Sequence, residues 1–356
     1  MDIQLPIRAL LSMLSCACLS VSSSAQARTD EQQQPARPAT LLPLTDRIPP
    51  LARMISGEWR MTMANGLSQF VTWHTGPGEQ SLRALTDGMG GNGEPWRSNR
   101  VVYWHPHHQQ IRTLGMSPYA RTVSEGTLGL DDGTLHSVND LYQQGGIRRR
   151  LETRWEFDGP DKYQAKLLET SNAGEVTTLG VWDYVRSLSS SKPSPHPGEA
   201  APEPSPYLDS LQALVGPTWE AKAEWASIQL LHTQSTLEWF PHADYIYARS
   251  IALPAPSTKV ESTHLLDAYV YHHTGTGALR CLALSNSGGV YEGDLNVLEG
   301  GAVQLDVQGY EGDRVQPYIV LFEPQEDGTW RNRIWSLEGP DRSLLLDTRH
   351  RQTAPK

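Results

Sequence analysis

The sequence predicts an all-β protein built as two tandem antiparallel β-barrels, each preceded by a short helix. Three observations lead there. First, one short motif occurs twice, as Leu51-Ala52-Arg53-Met54-Ile55-Ser56-Gly57-Glu58-Trp59 and as Leu211-Gln212-Ala213-Leu214-Val215-Gly216-Pro217-Thr218-Trp219. In both, apolar residues at i, i+3 and i+4 run into glycine, and a tryptophan then opens an extended segment. That pattern is a helix of one or two turns, ended by glycine, ahead of a first strand. Second, alternating or β-rich segments follow each copy, separated by turn clusters such as Thr75-Gly76-Pro77-Gly78 and Asp158-Gly159-Pro160-Asp161. Third, the 356 residues include 25 Pro and 30 Gly with 38% hydrophobic content, which suits short strands and many turns.

Residues 1–27 read as a secretory signal peptide. Arg8 supplies the positive flank, Ala9 to Val21 the apolar run, and Ala25-Gln26-Ala27 a small-x-small site with cleavage after Ala27. Lipoprotein attachment at Cys16 is the secondary reading. Cleavage would leave Cys281 as the only cysteine, so no internal disulfide could form. The expected location is the periplasm or the medium. Residues 28–44 are polar and proline-bearing, and read as a disordered tether.

The first barrel is expected over 45–186. Its β-rich segments lie at Gln69–His74, Gln80–Thr86, Arg100–His105, Gln110–Met116, Gly126–Leu130, Thr134–Asn139, Arg148–Phe157, Tyr163–Thr170 and Val176–Arg186. Residues 187–206, with six Pro and six Ser, read as a solvated linker. The second barrel is expected over 207–350, followed by a tail at 351–356. Further matches tie the halves together. Trp73 and Arg83 match Trp239 and Arg249 at offset 166. Tyr103, Arg112 and Ser117 match Tyr271, Arg280 and Ser285 at offset 168, and Glu125-Gly126 matches Glu292-Gly293 at offset 167. A meander of about eight to ten strands removes its edges by closing, and a barrel of that size holds side chains or one small ligand.

The repeated start, the tyrosine before a His-rich turn (Tyr103, Tyr271) and a last strand ending in Arg resemble the lipocalin-like (calycin) superfamily. More narrowly, the chain is similar to bacterial secreted lipocalin-like domains of unknown function. Pro217 stands where glycine is usual, and the final strand lacks the aromatics of Trp182-Asp183-Tyr184. The resemblance implies a carrier of small apolar or amphipathic molecules. It carries over no catalytic residue and no cofactor.

Formal net charge is −10 without a basic stripe, which disfavours nucleic acid and anionic membrane surfaces. Arg83, Arg112, Arg249 and Arg280 lie in strands. Pointing inward, they would anchor a ligand carboxylate or phosphate; pointing outward, they would be solvated or pair with Glu125 and Glu292. Trp73, Trp239, Tyr103 and Tyr271 are the candidate ligand walls. His105, His107, His108, His272 and His273 mark polar hairpin tips, without a third metal ligand at a recognisable spacing. Gly88 to Gly93 matches G-x-G-x-x-G as a string but lacks the strand and helix that give it meaning. No G-x-S-x-G, H-E-x-x-H or Walker-type loop occurs. The expected function is therefore an exported binding or carrier protein for a small hydrophobic or amphipathic, anionic-capable molecule. The alternative is a non-catalytic cell-envelope structural or interaction module with side-chain-filled barrels.

Overall fold

The computed structural model describes residues 42–55, 57–62, 68–89, 95–117, 122–187, 206–225, 229–240, 245–254, 262–338 and 342–353. The expected signal peptide, most of the tether, linker residues 188–205 and tail residues 354–356 lie outside them. Two short helices, α1 (Leu44–Arg47) and α2 (Pro50–Ile55), precede the first strand. The first barrel then takes β1 (Glu58–Thr62), β2 (Ser68–Thr75), β3 (Ser81–Met89), β4 (Pro95–His105) and β5 (Gln110–Ser117). It continues with β6 (Thr122–Asp131), β7 (Thr134–Tyr142), β8 (Arg148–Phe157), β9 (Lys162–Thr170) and β10 (Val176–Ser187). The second uses β11 (Thr218–Trp225), β12 (Gln229–Trp239), β13 (Tyr245–Ala252), β14 (Thr263–His273) and β15 (Ala278–Ser285). It ends with β16 (Val290–Val297), β17 (Val303–Glu311), β18 (Arg314–Pro324), β19 (Trp330–Ser336) and β20 (Ser343–Gln352). Every strand pairs with its sequence neighbours, and β1–β10 and β11–β20 close the two sheets. No described helix is long and apolar enough to cross a membrane.

The repeated motif is a plug. Leu51 and Met54 of α2 are fully buried, and the Trp59 indole N–H donates to the Met54 carbonyl at 3.0 Å. Trp219 does the same to Leu214 at 2.9 Å. The tryptophan thus satisfies a carbonyl left over at the helix end while filling the barrel floor. Gly57 and Gly216 follow these turns at φ 101° and 100°, a region where an L side chain is strained. In the second barrel the helix is a 3-10 turn, Asp209–Leu214, and the positive-φ glycine comes one residue earlier, so that two residues instead of one separate it from the tryptophan. Pro217 stands at the position of Gly57, and Gly216, one residue before it, takes the positive-φ turn.

The two barrels share a third apolar core. Outward-facing Val101, Tyr103, Leu114, Met116 and Val123 of barrel 1 pack against Phe240, Tyr245, Tyr269, Tyr271, Leu282 and Leu284 of barrel 2. Each fully buried leucine there contributes roughly 1.5–3 kcal/mol. The 3-10 turn Pro77–Glu79 also docks on barrel 2. Gly78 has φ 61°, and a Cβ on it would sit 2.2 Å from the Asn286 carbonyl oxygen. Gly78→Val should consequently loosen the joint while leaving both barrels folded. Calorimetry would then resolve separate transitions, whereas an unchanged single transition would count against this contact being tight.

Candidate functional site

Strand alternation decides what faces each lumen. In barrel 1, Trp73 faces Ala84 across β2 and β3, and Ala84 faces Arg100 across β3 and β4. Their side chains line a cavity of about 290 Å³. The plug closes one end, where Trp59 meets Tyr163 edge-on at 4.7 Å and Tyr163 stacks on Tyr184 at 4.6 Å. From there the cavity runs toward the opposite end of the strands, past Thr86, Ser98, Ser124, Leu141, Leu151 and Leu167.

Arg100 stands at the closed end of this space. Its guanidinium lies 5.4 Å from the Trp155 ring centroid. It is partly exposed and borders the cavity. Burial lowers its pKa from 12.5, with Tyr184 and Tyr163 acting the other way, and no described carboxylate contributes. It stays a cation near neutrality. Burial also pushes the Tyr184 hydroxyl up to about 12 and the Tyr163 hydroxyl higher still, so both are neutral donors beside it. Among the described residues, Arg100 has no ion pair.

Barrel 2 carries the same framework with a different filling. The chain of pairs Trp73, Ala84, Arg100 becomes Leu237, Ala248, Ala268. Ser124, which faces Gly115 and Leu141, corresponds to Tyr291, which faces Ala283 and Gly309. Leu151 corresponds to Tyr318. Tyr291 and Tyr318 are buried with ring centroids 6.3 Å apart. A Cβ on Gly309 would fall 2.6 Å from Tyr318 and 2.9 Å from Tyr291, so glycine leaves room for both rings. Their hydroxyls donate to Glu311 at 2.6 Å and Gln316 at 2.8 Å. Large side chains thus stand where barrel 1 has Ser124 and Leu151 beside its cavity.

The four arginines singled out from the sequence all point away from the lumens. Each neighbours an inward residue on its strand (Ala84, Ile111, Ala248 and Cys281 respectively), so alternation turns it outward. Arg83 lies over the Tyr247 ring at 3.8 Å, between the barrels. Arg249 is exposed. It is also not the counterpart of Arg83, because the strand register equates Arg83 with Tyr247 and Trp73 with Leu237. Trp73 lines the cavity of barrel 1, while Trp239 is half-buried against the core of barrel 2.

Arg112, Arg280, Tyr103 and Tyr271 meet at the joint instead. Arg112 Nη1 lies 3.5 Å from Glu292, and Arg280 Nη1 lies 3.8 Å from Glu125 and its Nε 3.6 Å from Asp294. The histidines join them, His105 Nε2 at 3.6 Å from Glu292 and His273 Nε2 at 3.7 Å from Glu125. Tyr271 donates to Glu125 at 3.1 Å. His105 packs on Tyr310 at 4.6 Å and His273 on Tyr142 at 4.7 Å. The histidine, arginine and tyrosine-ring contacts of one barrel are answered by their counterparts, the mark of an approximate two-fold joint. The Tyr271 hydrogen bond and the Arg280–Asp294 pair occur on one side alone among the described residues. Burial works to raise both carboxyls, yet His273 and Arg280 hold Glu125 below the usual 4.5, and His105 and Arg112 do so for Glu292. A cavity of about 80 Å³ lies among these groups. It is large enough for about two or three waters at ~30 Å³ each.

This joint is a carboxylate–histidine constellation in a polar pocket, and its chemistry is spoken for. His105 Nδ1 accepts from the His108 N–H at 3.3 Å, and His273 Nδ1 accepts from the N–H groups of Gly275 and Thr276 at 3.2 Å. Each Nε2 therefore carries the proton and turns it toward the carboxylate. Among the described residues no group of three His, Cys, Asp or Glu side chains is placed to hold a metal ion.

The fold defines a tandem β-barrel protein, with a cavity of about 290 Å³ in the first barrel and two buried tyrosines across the lumen of the second. No family model and no curated protein matches the chain. Among solved structures it is similar to a protein of unknown function from the DUF3598 family of Nostoc punctiforme. Identity is 12% over 84% of this chain and 97% of that one, with a TM-score of 0.19. The β domain of the Bordetella autotransporter BrkA gives 10% identity over 83% and 96%, with a TM-score of 0.11.

Proposed function

We propose that the protein is an exported, non-catalytic binder or carrier of a small amphipathic molecule, and that barrel 1 is the vessel. The observation that carries this reading is the 290 Å³ cavity of barrel 1, walled by Trp73, Trp155 and Trp182 and floored by Arg100. Concave, mostly apolar sites with a few placed polar groups are the usual form of small-molecule sites. The basic, apolar and small-x-small succession of residues 1–27 supports export. In this reading barrel 2, with Tyr291 and Tyr318 across its lumen, serves as the structural partner.

Native mass spectrometry of protein purified from its own host tests the reading, with quenching of the lumen tryptophans as the quantitative assay. Ser124→Tyr combined with Leu141→Gly gives barrel 1 the filling of barrel 2, and should weaken ligand binding by about tenfold or more. Tyr291→Ser should leave binding in barrel 1 unchanged. Equal affinity in the filled variant would place the ligand elsewhere.

A further inference from the structure

Within that reading, we propose that the ligand of barrel 1 is a single-headed organic monoanion, a monocarboxylate with an apolar body. It enters head-first, so that its carboxylate pairs with Arg100 at the closed end and its body points to the mouth.

Charge is the first ground. Arg100 is a guanidinium half-buried in the cavity wall, and no described carboxylate answers it. The neighbouring cations of the chain are treated differently. Arg97 pairs with Asp87, Arg149 with Glu169, and Arg112 with Glu292. A half-buried, unanswered guanidinium loses part of its solvation without regaining it from a partner, and a carboxylate is the group whose two oxygens match its fork.

Position is the second. Arg100 lies against Trp155, Tyr163 and Tyr184, at the end shut by Trp59 and α2. Neither Tyr163 nor Tyr184 forms a hydrogen bond to another described residue, and both line the cavity, so two phenol donors stand ready beside the cation. Leu141, Leu151 and Leu167 lie farther along the strands, toward the open end. A head group at the floor and a body among these leucines satisfy both regions; the reverse orientation satisfies neither.

Size is the third. At the ~30 Å³ that a water occupies, the cavity accepts a body of about ten heavy atoms. The proposal is also specific to one half of the chain, because Ala268 stands at the Arg100 position of barrel 2.

Octanoate, octanol and octylamine test this on the full chain by tryptophan quenching at pH 7. Octanoate should bind about tenfold more tightly than octanol, and octylamine more weakly than both. Arg100→Met should remove the preference by weakening octanoate about tenfold while leaving octanol unchanged, and Arg100→Lys should restore part of it. Orientation is read with bromine: 2-bromooctanoate should quench Trp155, and Trp155→Phe should abolish that signal, whereas 8-bromooctanoate should not depend on Trp155. Equal binding of acid and alcohol, or quenching of Trp155 by the 8-bromo acid alone, overturns the head-first carboxylate and leaves the vessel standing. If none of the three probes binds, and the filled variant behaves as the parent does, the vessel itself falls.

Discussion

Gly126→Ala and Gly293→Ala should each destabilise the protein by about 3 kcal/mol and lower the melting temperature of the affected barrel by roughly 10 °C. The reason is contact between strands, not backbone torsion. A Cβ on Gly126 would stand 2.0 Å from the Val138 carbonyl oxygen and 2.7 Å from the Asn139 Cα. On Gly293 it would stand 2.0 Å from the Asp306 carbonyl oxygen and 2.8 Å from the Val307 Cα. Both obstacles are backbone, so no rotamer change can relieve them, and the ladder must open locally. Gly129→Ala is the internal control, since nothing lies within 4 Å of a Cβ there. It should be nearly neutral. Calorimetry on the three variants decides the matter, and equal melting temperatures for Gly126→Ala and Gly129→Ala would refute the steric account. The repeated Glu-Gly pair gains its explanation here. Glycine lets the strand lie close to its neighbour, and the glutamate before it reaches the other barrel.

Acid should separate the barrels before it unfolds them both. Glu125 faces His273, Arg280 and Tyr271, and Glu292 faces His105 and Arg112, with Tyr103, Tyr142, Tyr310 and Asp294 around them. Both carboxyls are held below their ordinary 4.5 in the folded chain. A depressed carboxyl contributes stability that is present above its unfolded value and is lost as pH falls through the folded one. The loss therefore begins below about pH 4.5. Removing one charge of such a partly exposed cluster costs about 2 kcal/mol, less than for a fully buried pair. His350 behaves differently. Burial pushes it down to about 4, so the unfolded chain takes up its proton at the ordinary 6.5 and the folded one only near 4. Barrel 2 alone should accordingly soften between those values. Small-angle scattering should show the molecule extending below pH 4.5. Glu125→Gln with Glu292→Gln should show that extension already at pH 7. An unchanged scattering profile from pH 7 to 3.5 would dispose of the acid-labile joint.

Much of the architecture was legible because it rests on local signals. The apolar i, i+3, i+4 spacing before Gly57 and Gly216, and the tryptophan after each, announce a turn of helix leading into a strand. The offset of 168 around Tyr103 and Arg112 survives in the strand register, because β4 and β5 have identical lengths and turns in both halves, up to the partners of Tyr271 and Arg280. The offset of 166 does not survive. Trp239 and Arg249 resemble Trp73 and Arg83 in letters but lie two residues beyond the true counterparts, Leu237 and Tyr247.

The lumen was harder to read, for a physical reason. Repetition picks out what both halves need, and both halves need the joint: hence Arg112, Arg280, Glu125 and Glu292. A cation that only one interior uses is not repeated, and Arg100 passed unnoticed in Arg97-Ser98-Asn99-Arg100-Val101-Val102. Parity was the available signal, since Arg100 shares its face of β4 with Val102, whose side chain belongs to the core of barrel 1.

The reciprocal joint between the halves has one more consequence. A surface complementary to its own copy holds two equal bodies together whatever each contains, so neither interior answers to the other. One lumen can therefore carry buried tyrosines while its twin keeps a cavity. The lumens differ at Ser124 and Tyr291, at Leu151 and Tyr318 and at Arg100 and Ala268, and none of these changes touches the docking surface.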